Sequence, residues 1–223
     1  MKLTVFDLDH TLLAGDSDVL WCDFLLQQGL LDRAEFAARN AAMERDYRAG
    51  QVSVQAFSAF YVGTMAGRSA AEWQPLLQRF LDEEIAPRLP AAAHALLRRH
   101  QQADDLVVLS TATNRVIAAP TAAHLGITHL IATDCGVDDD GRFNGQVLGT
   151  PNMREGKVAR LHAWLAARGQ QLADFESRFY SDSINDLPLL EAVDHPVVVD
   201  ADARLAALAA QRGWPAISLR GGA

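Results

Sequence analysis

The sequence predicts an α/β fold, a mostly parallel sheet covered by helices on both faces, with an all-helical insert after the first strand. Three observations carry this. From Pro90 onward, short apolar β-prone runs alternate with amphipathic stretches, the rhythm of strand–helix–strand units with right-handed crossovers. Between the first apolar run and Pro90 the apolar residues recur only at helical spacing, which breaks that rhythm. The apolar runs also stop abruptly at polar residues, as strands do when they deliver side chains into a site.

Each element can be justified in turn. Leu3-Thr4-Val5-Phe6 reads as a buried strand that ends at Asp7. From Asp16 to about Arg88, the groups Trp21/Phe24/Leu25 and Phe57/Phe60/Tyr61 mark three or four successive helices, broken near Gly29, Gly50 and Gly67. A helix over about 91–102 leads to the strand Leu106-Val107-Val108-Leu109, which ends at Ser110-Thr111. A helix near 114–125, a strand at 128–132 and a hairpin around Asp139-Asp140-Gly141 follow. The remaining elements are a helix over 154–168, the strand Arg178-Phe179-Tyr180 running into Ser181-Asp182, a strand at 195–199 and a helix over 202–212. The expected organisation is a core of residues 1–14 and 89–223 with a helical cap of residues 15–88. Ala14-Gly15 and the segment 87–90 are the expected hinges, and Arg220-Gly221-Gly222-Ala223 an expected frayed tail.

Composition narrows the function classes. A chain of 223 residues and 24.3 kDa fits one sizeable domain, or one carrying a smaller insert. With 28 acidic against 20 basic residues and a net charge of −8, the footprint of a general nucleic-acid binder is missing. Cys22 and Cys135 cannot form a disulfide framework and read as free, packed thiols of a reducing compartment. Asp7 and Asp9 interrupt the N-terminal apolar stretch at once, which argues against a signal peptide, and no apolar run is long enough to span a bilayer. A soluble cytoplasmic protein with no nucleic-acid or membrane partner is expected.

The strand ends hold the chemistry. They supply Asp7-Leu8-Asp9-His10-Thr11, Ser110-Thr111, and Ser181-Asp182-Ser183-Ile184-Asn185-Asp186, with Lys157 opening a helix. In open α/β sheets such groups converge outside the carboxyl ends of the strands. Gathered carboxylates repel unless a cation sits among them, and hard oxygen donors favour Mg²⁺. The amine and hydroxyls then suit an anionic oxygen cluster such as phosphate. An EF-hand fails because no helix precedes the acidic loop and Leu12 stands where glycine is needed. A P-loop around Gly149…Gly156-Lys157-Val158 fails because six residues separate the glycines and valine follows the lysine. Each group has a bland reading too: Asp7/Asp9 as a turn, Lys157 as an exposed helix start, Ser110 as a helix cap. Only their order along the chain makes them a set.

Those residues, in that order, resemble the four motifs of the haloacid dehalogenase (HAD) superfamily. The helical insert is similar to the C1-type cap of its subfamily IB, the phosphoserine-phosphatase-like and bacterial histidinol-phosphatase-like branch. The resemblance covers essentially the whole chain. It implies a Rossmann-like doubly wound core and a Mg²⁺-dependent phosphatase acting on a small-molecule phosphate ester through an aspartyl-phosphate. Asp7 would be the nucleophile and Asp9 the general acid and base. Asp7, Asp9 (through its carbonyl), Asp182 and Asp186 would hold or support Mg²⁺. Ser110, Thr111, Lys157 and Asn185 would bind phosphate, and Thr11 would support the loop.

Substrate choice is expected from the cap. Asp16 stands where phosphoserine phosphatases place the glutamate that grips the substrate's ammonium, with Asp18 close behind. The arginine those enzymes use for the substrate carboxylate has no counterpart from Gln51 to Gly67, where Ala59 falls, although Arg45 and Arg48 lie nearby. Gly15-Asp16-Ser17-Asp18 followed by Trp21 resembles the histidinol-phosphatase-like branch. Asp16, Asp18, Trp21 and Arg45 are therefore the expected substrate-binding residues. An amino-alcohol phosphate, L-histidinol phosphate first, is the expected substrate, with phosphoserine next and a phosphomutase third. A phosphorylation-receiver module is ruled out by length and by the insert. Oligomeric state is open.

Overall fold

The computed structural model describes residues 1–48 and 53–221, without the side chains of residues 41 and 44–48. Its centre is β1 (Lys2–Phe6), whose interior positions are fully buried. Parallel to it on one side runs β2 (Leu106–Asn114), and on the other β5 (Glu176–Ser181). The sheet is completed by β3 (His129–Val137), β4 (Phe143–Leu148), β6 (His195–Val199) and β7 (Ala216–Ile217) in the order β4-β3-β2-β1-β5-β6-β7. Only β4 is antiparallel, paired to β3 through a turn at Asp138–Arg142, where the Asp-Gly signal places the hairpin.

Helices cover both faces, as the near-continuous apolar strands require. On one face Phe6, Leu109 and Tyr180 pack against α5 (Ala91–Gln102) and α6 (Arg115–His124). On the other, Leu3, Val5, Val108 and Phe179 pack against α7 (Glu155–Ala166), α8 (Leu187–Ala192) and α9 (Ala203–Arg212).

The insert comprises α1 (Ser17–Gln27), α2 (Arg33–Arg48), α3 (Val54–Val62) and α4 (Ala70–Phe80). Its two layers pack differently. Trp21, Phe24, Trp73 and Phe80 of α1 and α4 belong to the same apolar cluster as Phe6, Leu8 and Ile117 beneath them. Cys22, Phe60 and Tyr61 form a separate small cluster with Phe36, Met43 and Phe57. The hairpin clasps the insert as well: Gly67 N–H donates to the Phe143 carbonyl at 2.8 Å, and Phe143 N–H donates to that of Arg68 at 2.9 Å. The two chain crossings are tied together, with Ala14 N–H donating to the Arg88 carbonyl at 2.9 Å. Rotating the whole insert about those crossings would have to open the shared cluster and the hairpin contacts. Burying each large side chain there is worth roughly 2 kcal/mol, so that motion is costly.

Two departures from the sequence reading bear on function. The strand expected to stop at Ser110-Thr111 runs on to Asn114, because its pairing with β3 slips: Ser110 faces Ile131, but Asn114 already faces Thr133. Such a bulge re-aims side chains and is common beside active sites. The C-terminal segment is not frayed as far as Arg220, whose guanidinium donates to the His10 carbonyl at 2.6 Å; residues 222–223 lie outside the described residues.

Candidate active site

Beyond the carboxyl ends of β1 and β5 lies a cavity of about 240 Å³. Asp7, Asp9, Asp16, Asp18, Lys157, Asp182, Asn185 and Asp186 all line it, so eight of the expected site residues meet in one place. Asp7 directly follows β1, and its N–H is fixed by the Tyr180 carbonyl at 3.0 Å. Lys157 is 2% exposed, and its Nζ donates to Asp7 Oδ1 and Asp186 Oδ2, both at 2.7 Å. A buried ammonium survives only where carboxylates hold it, and this pair pushes its pKa up despite burial.

The sequence dictates how Lys157 gets there. Gly156 precedes it in the first turn of α7, and a Cβ on Gly156 would sit 2.1 Å from the Pro151 carbonyl oxygen. That contact is forbidden without moving the backbone. Asn152, fully buried, locks the same loop to the sheet by donating to Ser110 Oγ, the Thr111 carbonyl and the Ile131 carbonyl. Gly156→Ala should therefore lower stability by roughly 1–3 kcal/mol and displace Lys157. Thermal melts and turnover measured together check this; an unchanged turnover would mean the loop yields without moving the lysine.

Thr11 performs the expected loop-supporting role: its hydroxyl lies 3.2 Å from Asp7 Oδ2 and 3.1 Å from Asp182 Oδ1, and it accepts the Asp182 N–H. Asp9 is held by Thr113, whose hydroxyl donates to Oδ2 at 2.6 Å, and by the Ser17 N–H at the start of α1, which donates to Oδ1 at 2.7 Å. Asp16 lines the cavity and also caps α1, accepting the Val19 N–H at 3.0 Å. Asp18 Oδ1 is buried without a hydrogen-bond partner.

Three expectations change at this point. Ser110 faces away from the cavity, fully buried, with its oxygen accepting from Asn152. The bulge carries Thr111 and Thr113 to the Asp9 side instead; Thr111 donates to Asp9 Oδ2 at 3.4 Å, and Ala112 and Thr113 supply the cavity wall. Trp21 is not at the mouth: it is fully buried against Phe24, Trp73 and Phe80, with its N–H on Thr64 Oγ1. Asp186 lines the cavity with its Oδ2 accepting from Lys157 and from the Ser181 hydroxyl, in keeping with the supporting one of its two expected roles. The side chains of Arg45 and Arg48 lie outside the described residues.

Sequence reading missed Thr113, Asn152, Phe57 and Tyr61. Phe57 and Tyr61 sit one helical turn apart on α3, ring centroids 5.2 Å apart, and both line the cavity. Their i, i+4 spacing was visible but reads equally well as cap core. Thr113 stands two residues after Thr111, a spacing that hints at a shared strand face. Asn152 leaves no signal.

Burial is the main force on the carboxyls. It raises Asp7 well above the usual carboxylate range, with Asp186, Asp182 and Asp9 adding repulsion and Lys157 opposing. Asp182 rises to about 6, also mainly through burial. Asp16 rises to about 6, and burial raises Asp18 well above the usual carboxylate range, with repulsion from Asp16 and Asp9 adding. Burial also lifts both thiols, Cys135 to about 12, so neither is a nucleophile at neutral pH. Among the described residues no three His, Cys, Asp or Glu side chains are grouped to hold a metal ion. An oxygen-ligated cation here would draw on Asp7, Asp182, a backbone carbonyl and water, a hard donor set that fits Mg²⁺. Carboxyls held up by burial and repulsion are what a divalent cation relieves.

The family model of haloacid dehalogenase-like hydrolases matches residues 4–191. The chain belongs to that family. Phosphatases of this family generally use Mg²⁺. Across 220 residues, 98% of this chain and 99% of its relative, this hydrolase is 40% identical to a protein of Neisseria meningitidis serogroup C (strain 8013) named histidinol-phosphatase. A solved structure of a Bordetella pertussis Tohama I protein of unknown function superposes with a TM-score of 0.93 at 44% identity, covering 98% of each chain. A substrate-bound phosphoserine phosphatase superposes with a TM-score of 0.65 at 15% identity, covering 97% of this chain and 92% of that one, a likeness of fold. Among the described residues no helix is long and apolar enough to cross a membrane.

Proposed function

We propose that this hydrolase is a Mg²⁺-dependent phosphomonoesterase acting on a small phosphate ester with a cationic end, L-histidinol phosphate first. One observation carries the reading: the cavity that contains Asp7 and Lys157 also contains Asp16 and Asp18, with Phe57 and Tyr61 on its wall. Lys157 suits the phosphate, and the buried, unpartnered oxygen of Asp18 suits an ammonium. The aromatic pair suits a planar cationic ring. The resemblance to the Neisseria histidinol-phosphatase over nearly the whole of both chains supports the same substrate.

Asp7 attacks phosphorus, forming an aspartyl-phosphate as the ester P–O bond breaks. Asp9 protonates the departing alkoxide, then removes a proton from the water that releases inorganic phosphate and regenerates Asp7. Thr113 and the start of α1 orient Asp9 for both steps. Lys157 holds Asp7 and faces the non-bridging oxygens, where charge must be neutralised. Asp7, Asp182 and the Asp9 carbonyl would hold Mg²⁺, which supplies further neutralisation of the phosphoryl oxygens.

The expected result with purified protein is phosphate release from L-histidinol phosphate that exceeds that from O-phosphoserine at least tenfold, roughly one carboxylate contact's worth of discrimination. Chelation should abolish it and added Mg²⁺ restore it. Faster turnover of O-phosphoserine would overturn the substrate assignment, and a phosphorylated organic product in place of free phosphate would mark a phosphomutase.

A further inference from the structure

A second cavity, of about 460 Å³, lies on the α5 side of the sheet over β5, β6 and β7. Arg99, Arg178, Tyr180, Val197, Trp214 and Ile217 are among its walls. Arg178 pairs in register with Thr4 on one side and His195 on the other, toward the starting ends of the strands. Asp7 and Asp182 follow the opposite ends, so this cavity is separate from the candidate active site.

Its two guanidinium groups are open. Arg178 Nε is buried without a hydrogen-bond partner, and neither Arg99 nor Arg178 is ion-paired with another described residue. The acid that lines the cavity, Asp194, accepts the Ser177 N–H and hydroxyl on Oδ2, at 2.8 Å each, and is not ion-paired with either guanidinium. His195 is satisfied by Glu176 at 3.2 Å. A smaller adjoining cavity, about 160 Å³, shares Arg99, Arg178 and His195 and adds Glu176 and Asp105; Asp105 Oδ2 accepts from Thr4 and pairs with His100 Nδ1 at 2.6 Å, while its Oδ1 is buried without a partner. A buried guanidinium nitrogen with nothing to donate to is a cost unless a ligand completes it. Two guanidinium groups beside an apolar floor of Val197, Trp214 and Ile217 match the two ends of a small planar acid.

We propose that this cavity binds an aromatic or heteroaromatic carboxylate, its carboxylate on Arg178 and Arg99 and its ring on the apolar floor, and that the bound acid alters turnover. The link to turnover is Tyr180. Its ring lines the cavity and stacks on Phe6 at 4.8 Å and 7°, while its carbonyl fixes the N–H of Asp7. An occupant therefore touches the residue that positions the nucleophile's backbone.

Sodium benzoate is the probe. Calorimetric titration of the full-length protein should show binding, weakened at least about tenfold in Arg178→Gln and in Arg99→Gln. Saturating benzoate should change kcat for a phosphate ester in the wild type but not in Arg178→Gln, whereas inhibition by inorganic phosphate should be equal in both. Arg99 is exposed, so its variant folds even if Arg178→Gln does not. No binding below about 10 mM, equal binding by the Arg99 variant, displacement of benzoate by inorganic phosphate, or an unchanged kcat would each overturn the proposal. The titrations need no assumption about the physiological ester, so their failure is distinct from failure of the substrate assignment.

Discussion

Asp7→Asn should reduce phosphate release by at least roughly a thousandfold while leaving the protein folded and no less stable. An amide cannot displace an alkoxide from phosphorus, and neither the buried Cys22 nor the half-buried Cys135 is among the described residues that line the cavity. The stability half of the expectation comes from electrostatics. Asp7 is 6% exposed, burial raises its pKa, and Asp182 and Asp186 repel it. Asparagine removes one charge from that cluster, keeps its volume, and leaves Lys157 paired with Asp186. Circular dichroism melts beside a phosphate-release assay test both halves. An active variant would refute covalent catalysis by Asp7; an unfolded one would mean that the Asp7–Lys157 pair is needed for folding itself.

Why the core motifs were legible while the cap residues were not follows from where each residue's position is decided. Asp7, Asp182 and Asn185 are placed by strand ends, and a strand end shows in sequence as an apolar run that stops. Lys157 is placed by a helix start, equally visible. Ser110 failed because a bulge, set by how β2 pairs with β3, re-aims the three residues after it. No local pattern encodes a slip between strands distant in sequence. Trp21 failed for a related reason. On α1, Asp18 faces the cavity and Trp21 the apolar cluster, and only the packing of α4 against that face decides which is which. Arg220 looked like tail because its partner, the His10 carbonyl, belongs to the loop after β1, where His10 takes φ of 56°.

The net charge of −8 also acquires a location. Asp7, Asp9, Asp16, Asp18, Asp182 and Asp186 all line one cavity, which nonetheless has to admit a phosphate. Lys157 is the cation in that lining with the deepest burial, and it is held by two of those carboxylates. An acidic protein disfavours anions in general, so under the proposed function Lys157 would have to select the phosphoryl group.

That balance makes Lys157→Met the second variant of large effect. Methionine fills similar volume but leaves Asp7 and Asp186 buried without their counter-charge. Breaking a buried pair by removing one partner costs about 3–5 kcal/mol, and here one lysine serves two carboxylates. The loss should depend on pH with a definite sign. Without the ammonium, the one influence that lowers the Asp7 pKa is gone, so its folded value rises further above the ordinary 3.8. Between those two values the folded state keeps protons that the unfolded chain has released. Stability then falls as pH rises through the interval, and is least impaired below about pH 3, where both states are protonated. Melting temperatures of variant and wild type should therefore converge on acidification and separate toward neutrality. A gap that stayed constant with pH would assign the cost to lost packing rather than to uncompensated charge. Turnover should be lost in either case, since the variant can neither hold Asp7 nor neutralise the phosphoryl oxygens.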